Sequence, residues 1–106
     1  MTRVTLIYRK MDGAHFDFDY YVNHHVVMSR KLLADCDLIS IEVEKILHDL
    51  EGNPSDIICI THVDFKNEHG LTKALELHGD KMMSDFKNYT NIDPEIQICE
   101  ILTTGL

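Results

Sequence analysis

The sequence lacks most of the marks that identify catalytic or macromolecule-binding chains. It contains no Gly-rich phosphate loop and no nucleophile elbow, and Ser29, Ser40, Ser55 and Ser84 belong to no motif. Its three cysteines, Cys36, Cys59 and Cys99, are an odd number without metal-type spacing. Cys59 and Cys99 fall inside strand-like segments and are expected as small buried apolar residues in a reducing cytosol. Basic residues are few and scattered, and the formal net charge is -8, which argues against nucleic acid as a partner. No charged segment followed by an apolar run opens the chain, and no apolar run is long enough to span a bilayer. A cytoplasmic location without membrane association is therefore expected. His15, His48, His62, His69 and His78 show no ligand spacing with carboxylates or thiolates, and Asp35, Asp37 and Asp49 read as loop or cap residues. The neighbours His24 and His25 would not converge on one metal. No metal and no cofactor are expected. With no linker or low-complexity segment, residues 1–106 read as a single domain.

What is present is concentrated in Phe16 to Met28, FDFDYYVNHHVVM. Asp17 is placed to cap the first backbone N–H groups of a helix, and Phe16 and Tyr21 are spaced for a hydrophobic staple across that cap. Asp19 adds negative charge near the positive end of the helix dipole. From that start, helical spacing gives an apolar stripe of Phe18, Tyr21, Val22, His25, Met28 and Leu32, ending near Ala34. His25 then faces inward, while His24 turns about 100° away. A titratable ring on a buried face, one turn after a tyrosine, marks a candidate pocket.

Around this helix the periodicity changes in a regular order. Arg3 to Arg9 alternates Val4, Leu6 and Tyr8 against charged and polar neighbours, as in a half-buried strand. Asp12-Gly13 signals a turn before the helix. Leu38 to Leu47 places Ile39, Ile41 and Val43 on one face. After Gly52-Asn53-Pro54, Asp56 to Phe65 sets Ile57, Cys59, Val63 and Phe65 against Ile58, Ile60 and His62. Asn67 to Leu77 carries the helical stripe Leu71, Ala74, Leu75, although Gly70 weakens its first turn. Gly79 is expected to end that helix, with Met82, Met83 and Phe86 inward on one or two further turns. Glu95 to Leu102 closes the chain as a strand, with Ile96 and Ile98 opposite Cys99 and Ile101.

The order β-α-β-β-α-β describes an α+β ferredoxin-like sandwich. Two helices cover one face of a four-stranded sheet, yet the third and last strands read as apolar on both faces. The same face of a second subunit would cover the remainder, making a two-fold homodimer whose sheets close into a barrel with helices outside.

FDFDYYVNHH near the start and SDFKNYTNIDPEIQICEI near the end are similar to the two signature regions of the EthD family, within the dimeric α+β barrel superfamily. Phe16, Asp17, Tyr20, Tyr21 and His25 match the first signature. Val27 stands where the family commonly has proline, so no proline kink is expected there. The resemblance implies a small-molecule protein whose relatives act on, or beside, the oxidative turnover of aromatic or polyketide-like compounds. It also implies a ligand site between the helices and the sheet. Carried onto this chain, the motif positions are Tyr21 and His25, then Phe86, Asn88, Tyr89 and Asn91.

His25 is the catalytic candidate, since imidazole titrates near neutral pH and serves as a proton shuttle. Tyr21, Phe86, Asn88, Tyr89 and Asn91 are the candidate substrate-binding residues. The expected ligand is a small apolar or aromatic compound, handled by a cofactor-independent lyase or isomerase or an oxidoreductase-associated enzyme. The alternatives are a non-catalytic carrier or accessory protein of an oxidative pathway, and a haem-linked or cofactor-free oxygenase, a single axial histidine sufficing for haem.

Overall fold

A computed structural model describes residues 1–106. Four strands, β1 (Thr2–Arg9), β2 (Leu38–Lys45), β3 (Ile57–Phe65) and β4 (Glu95–Glu100), form one antiparallel sheet in the order β2-β3-β1-β4. This is the ferredoxin-like arrangement: each β-α-β unit is split by a strand of the other. Alternation in β1 works as expected. Val4, Leu6 and Tyr8 pair across the sheet with Val63, Thr61 and Cys59 and face the helical layer.

The first helical run is not one regular helix. It comprises an α turn, α1 (Phe18–Tyr20), a π turn (Tyr21–His25), an α-helix, α2 (Val26–Leu32), and a 3₁₀ turn (Leu33–Asp35). Asp17 caps it as expected, accepting from the Tyr20 N–H at 3.0 Å, and Phe16 packs edge-on to Tyr21. The irregularity arises without proline: the Val26 N–H reaches back to the Tyr21 carbonyl. That wider turn shifts the register of everything after it. The buried positions are Tyr21, Val26, Ser29 and Leu33, and Val22 is exposed, so the uninterrupted stripe through Val22, Met28 and Leu32 is corrected.

The second helix, α3 (Glu68–Ser84), also departs from expectation. Gly79 does not end it; the helix runs through to Ser84. Asn67 caps it by accepting from the Gly70 N–H. Gly70 is no weakness in that first turn, because a Cβ there would overlap the Cys36 carbonyl oxygen. Only the small residue lets α3 lie against the end of the first helical run. Of the expected stripe, Ala74 is buried, while Leu75 and Met83 are exposed.

A bulge near the start of β2 sets Leu38 opposite Phe65 and leaves Ile39 exposed, contrary to the simple alternation. The edge strand β4 is exposed on both faces, and Cys99 with it, so Cys99 is not a core residue. The sheet face turned away from the helices carries Ile7 beside Ile60, but also polar groups paired within the sheet. Arg3 grips Asp64 with two hydrogen bonds of 2.7 and 2.9 Å, and His62 bridges Thr5 and Glu44. That face is thus mixed rather than apolar throughout. No helix is long and apolar enough to cross a membrane.

Candidate functional site

The helical layer leaves a cavity of about 450 Å³ above the sheet. Its floor is Val4, Leu6, Tyr8, Ile41, Thr61, Val63 and Phe65, and its walls come from α2 and α3. At the α3 rim Leu75, Met83, Ile96 and Ile98 are exposed apolar side chains. An apolar concave space with a few converging polar groups is the usual form of a small-molecule site.

The polar groups gather at one end, around His25. The π turn holds its ring nearly parallel to that of Tyr21, with centroids 5.4 Å apart and planes 10° from each other. Tyr89 closes on the same ring at 4.6 Å. Nδ1 of His25 lies 2.9 Å from Oδ2 of Asp85, the residue that follows α3. Oδ1 of Asp85 accepts from the Tyr20 hydroxyl at 2.6 Å and from the Asn88 amide at 2.9 Å. Burial by itself would raise the Asp85 carboxyl, but hydrogen bonds from Tyr20, Asn88 and His25 outweigh it and hold it below the usual carboxylate range. An ionised carboxylate only accepts, so Nδ1 of His25 donates to it, and in the neutral ring Nε2 is the nitrogen that holds the lone pair. Nε2 has no partner in the protein, and His25 lines the cavity.

Two of the lining hydroxyls pair with each other, and the Ser29 hydroxyl donates to the His25 carbonyl at 2.9 Å. Tyr21 and Thr61 are hydrogen-bonded at 2.8 Å. Burial pushes the Tyr8, Tyr21 and Tyr89 phenols up, so each stays neutral at physiological pH. Tyr21 therefore shapes the pocket and does not offer a free hydroxyl next to His25.

Of the candidate residues, Tyr21, His25, Phe86 and Tyr89 come together in the cavity lining. Asn88 and Asn91 stand outside it. Asn88 reaches the pocket only through Asp85. Asn91 accepts from the His15 N–H and donates to the Gly13 carbonyl, both at 3.0 Å, and the Asp17 N–H donates to the Tyr89 carbonyl at 2.7 Å. The two signature segments are in this way bonded to each other along the mouth of the first helix.

Asp85 and Tyr20 acquire roles that sequence reasoning did not give them. A signal for Asp85 existed: an acid after the last turn of a helix opposes the helix dipole, and such local conflict marks sites held for another purpose. Elsewhere, Asp35, Cys36 and His78 come within 4.8 Å of one another, although the sequence separates His78 from the other two.

A four-stranded antiparallel sheet under a helical layer, with an apolar cavity between them, defines the α+β ferredoxin-like class. Within that class the chain is similar to EthD-like proteins of known structure. An EthD-like protein from Ralstonia eutropha JMP134 is 27% identical over 96% of this chain and 92% of that one, with a TM-score of 0.86. An ethyl tert-butyl ether D (EthD) family protein from Bacillus halodurans C-125 has the same fold at 19% identity, 96% and 99% coverage and a TM-score of 0.67. A dimeric ferredoxin-like protein from an uncultured marine organism matches the fold at 9% identity, 100% and 99% coverage and a TM-score of 0.60. Neither a family model nor a curated protein matches the sequence.

Proposed function

We propose that this protein binds a small apolar or aromatic compound in the cavity and moves a proton on it through Nε2 of His25. One observation carries the reading: Asp85 takes Nδ1, and the opposite nitrogen is left unpartnered on the lining of an apolar cavity. A histidine oriented by a carboxylate is the arrangement by which general bases hold one tautomer and stabilise the imidazolium that forms. This chemistry belongs to a cofactor-independent lyase or isomerase, in which a C–H or O–H proton is taken and returned elsewhere. Tyr21, Phe86 and Tyr89 supply the apolar and aromatic walls, and Asn88 and Tyr20 position Asp85.

The protein acts in this reading as a homodimer, associating through the sheet face that bears Ile7 and Ile60. Polar groups already paired on that face, Arg3 with Asp64 among them, support burial there. The dimeric description of the uncultured marine protein is in keeping with it.

The test is proton exchange. Aromatic and polyketide-like compounds that raise the melting temperature identify binders. Each binder is then incubated in D₂O with the wild type and with His25→Gln. Deuterium uptake into the binder should occur with the wild type and fall by about 10²–10⁴-fold in the variant, with binding retained. Equal uptake in both proteins would remove His25 from the chemistry. Binding without exchange in either protein would leave the chain as a carrier, a reading supported by the internal pairing of the Tyr21 and Thr61 hydroxyls.

A further inference from the structure

At the opposite end of the helical layer from Asp85, the last turn of the first helical run meets the middle of α3. Asp35 and Cys36 come from the former and His78 from the latter. The Cys36 thiol is buried and lies 3.4 Å from Oδ1 of Asp35. Nε2 of His78 lies 3.7 Å from the same oxygen, too far for a hydrogen bond. Nε2 of His78 is moreover sealed from solvent and has no hydrogen-bond partner, alone among the buried side-chain nitrogens and oxygens of the chain. A buried orphan of this kind calls for a specific explanation such as an ion.

We propose that Asp35, Cys36 and His78 form a binding site for one divalent cation of borderline softness, of which Zn²⁺ is the type. Thiolate, imidazole and carboxylate are the ligands such an ion takes, and three protein ligands with solvent in the fourth position make an accepted tetrahedral set. With metal–ligand distances of about 2.0–2.3 Å, the edges of that tetrahedron measure about 3.3–3.6 Å. The oxygen–sulfur and oxygen–nitrogen separations of 3.4 and 3.7 Å already approach this, and rotation of side chains closes the third edge. On binding, the Cys36 S–H bond breaks, its proton leaves to solvent and the sulfur takes up the metal.

The backbone around the three ligands is held without the ion. Lys73 Nζ donates to the Asp35 carbonyl at 2.8 Å, and Gly70 admits the Cys36 carbonyl against α3. A cation here ties the end of the first helical run to the middle of α3, beside the packing of Leu33 with Ala74 and Leu71. Leu33, Ala74 and Gly79, close in sequence to the ligands, line the cavity. The ion would thus stiffen the cavity wall, whatever chemistry His25 performs.

Cobalt reports on the site directly. The full chain, freed of metal with a chelator, is titrated with Co²⁺ under reducing conditions. One equivalent should bind, with a thiolate-to-cobalt charge-transfer band in the near ultraviolet, tetrahedral-type absorption in the visible and displacement by Zn²⁺. His78→Gln should weaken binding by at least about tenfold, since even outer partners of metal ligands contribute that much. Cys36→Ser should abolish the charge-transfer band, and Cys99→Ser, altering the exposed thiol, should leave it intact. Because Cys36 is buried and its replacement can impair folding, His78→Gln and Cys99→Ser decide the matter by themselves. No thiolate band in the wild type, wild-type affinity in His78→Gln, or loss of the band in Cys99→Ser would each overturn the site.

Discussion

Tyr20 and His25 donate to the same carboxylate, that of Asp85, from positions five residues apart. On a regular α-helix two such residues diverge by about 140° and would not share an acceptor. The π turn between them, in which residue i bonds to i+5, draws the two side chains onto one face. The irregular turn is therefore what assembles the His25–Asp85 pair. Such turns recur at functional sites for this kind of reason.

This geometry fixes a tautomer. Neutral His25 should carry its proton on Nδ1, and long-range ¹H–¹⁵N correlation spectra of the wild type should report that form. Asp85→Asn presents an amide in place of an obligate acceptor and should let the Nε2–H form appear, with deuterium exchange into any binder falling by about 10²-fold or more. An Nε2–H ring in the wild type would contradict the proposed base.

Gly70 offers a test of packing in which the sign is informative. Replacing glycine with alanine inside a helix ordinarily stabilises by about 0.5–1 kcal/mol. Here the added Cβ would overlap the Cys36 carbonyl, so Gly70→Ala should destabilise, by about 2 kcal/mol in chemical denaturation. A stabilised variant would mean that α3 can lift away without loss.

Acid should weaken the fold through Asp64. Hydrogen bonds from Arg3 hold its carboxyl below the usual range, against the opposing effect of burial. Its ordinary pKa, near 3.9 in an unfolded chain, is thus higher than its folded one. Between the two values the unfolded state binds more protons, so stability rises with pH there. The contribution is complete above about pH 5 and is lost as pH falls through the folded value. Arg3→Gln should cost about 1–3 kcal/mol at neutral pH and flatten this acid limb, as read by urea denaturation at a series of pH values.

Association through the open sheet face is tested at Ile60. It pairs with Ile7 there, whereas Ile58 packs against the core, so Ile60→Glu leaves the core intact and is the cleaner probe. The wild type should scatter light as a dimer at micromolar concentration, and the variant should dissociate, since an unpaired charge would be buried in the interface. A monomeric wild type ends the proposal.

Much of the fold was legible because periodicity reports which side of an element is buried. The alternation of Val4, Leu6 and Tyr8, the Asp17 cap and the order of the elements all came from local chemistry, and each is found in the structure. The misread places are those where one residue is inserted or a neighbour intervenes. The π turn moved the buried stripe from Met28 and Leu32 to Ser29 and Leu33, and the bulge in β2 exposed Ile39. Gly79, with the intrinsic conformational freedom of a helix stop, stayed helical because α3 continues to Ser84 before the chain turns.

The sequence by itself determined the four strands, the two helical regions, the capped start at Asp17 and the inward position of His25. These depend on spacing along a few residues, which local propensity and burial dictate. Only the tertiary structure decided what His25 meets. Asp85 lies sixty residues further along the chain, and it reaches the ring because the end of α3 folds over the π turn. The same holds for Arg3 with Asp64, for Asn91 with the loop before the first helix, and for His78 with Asp35 and Cys36. Pairings of that kind depend on how helices and strands stack in space, where a shift of one residue in register changes the partner, and short-range patterns carry no record of that choice.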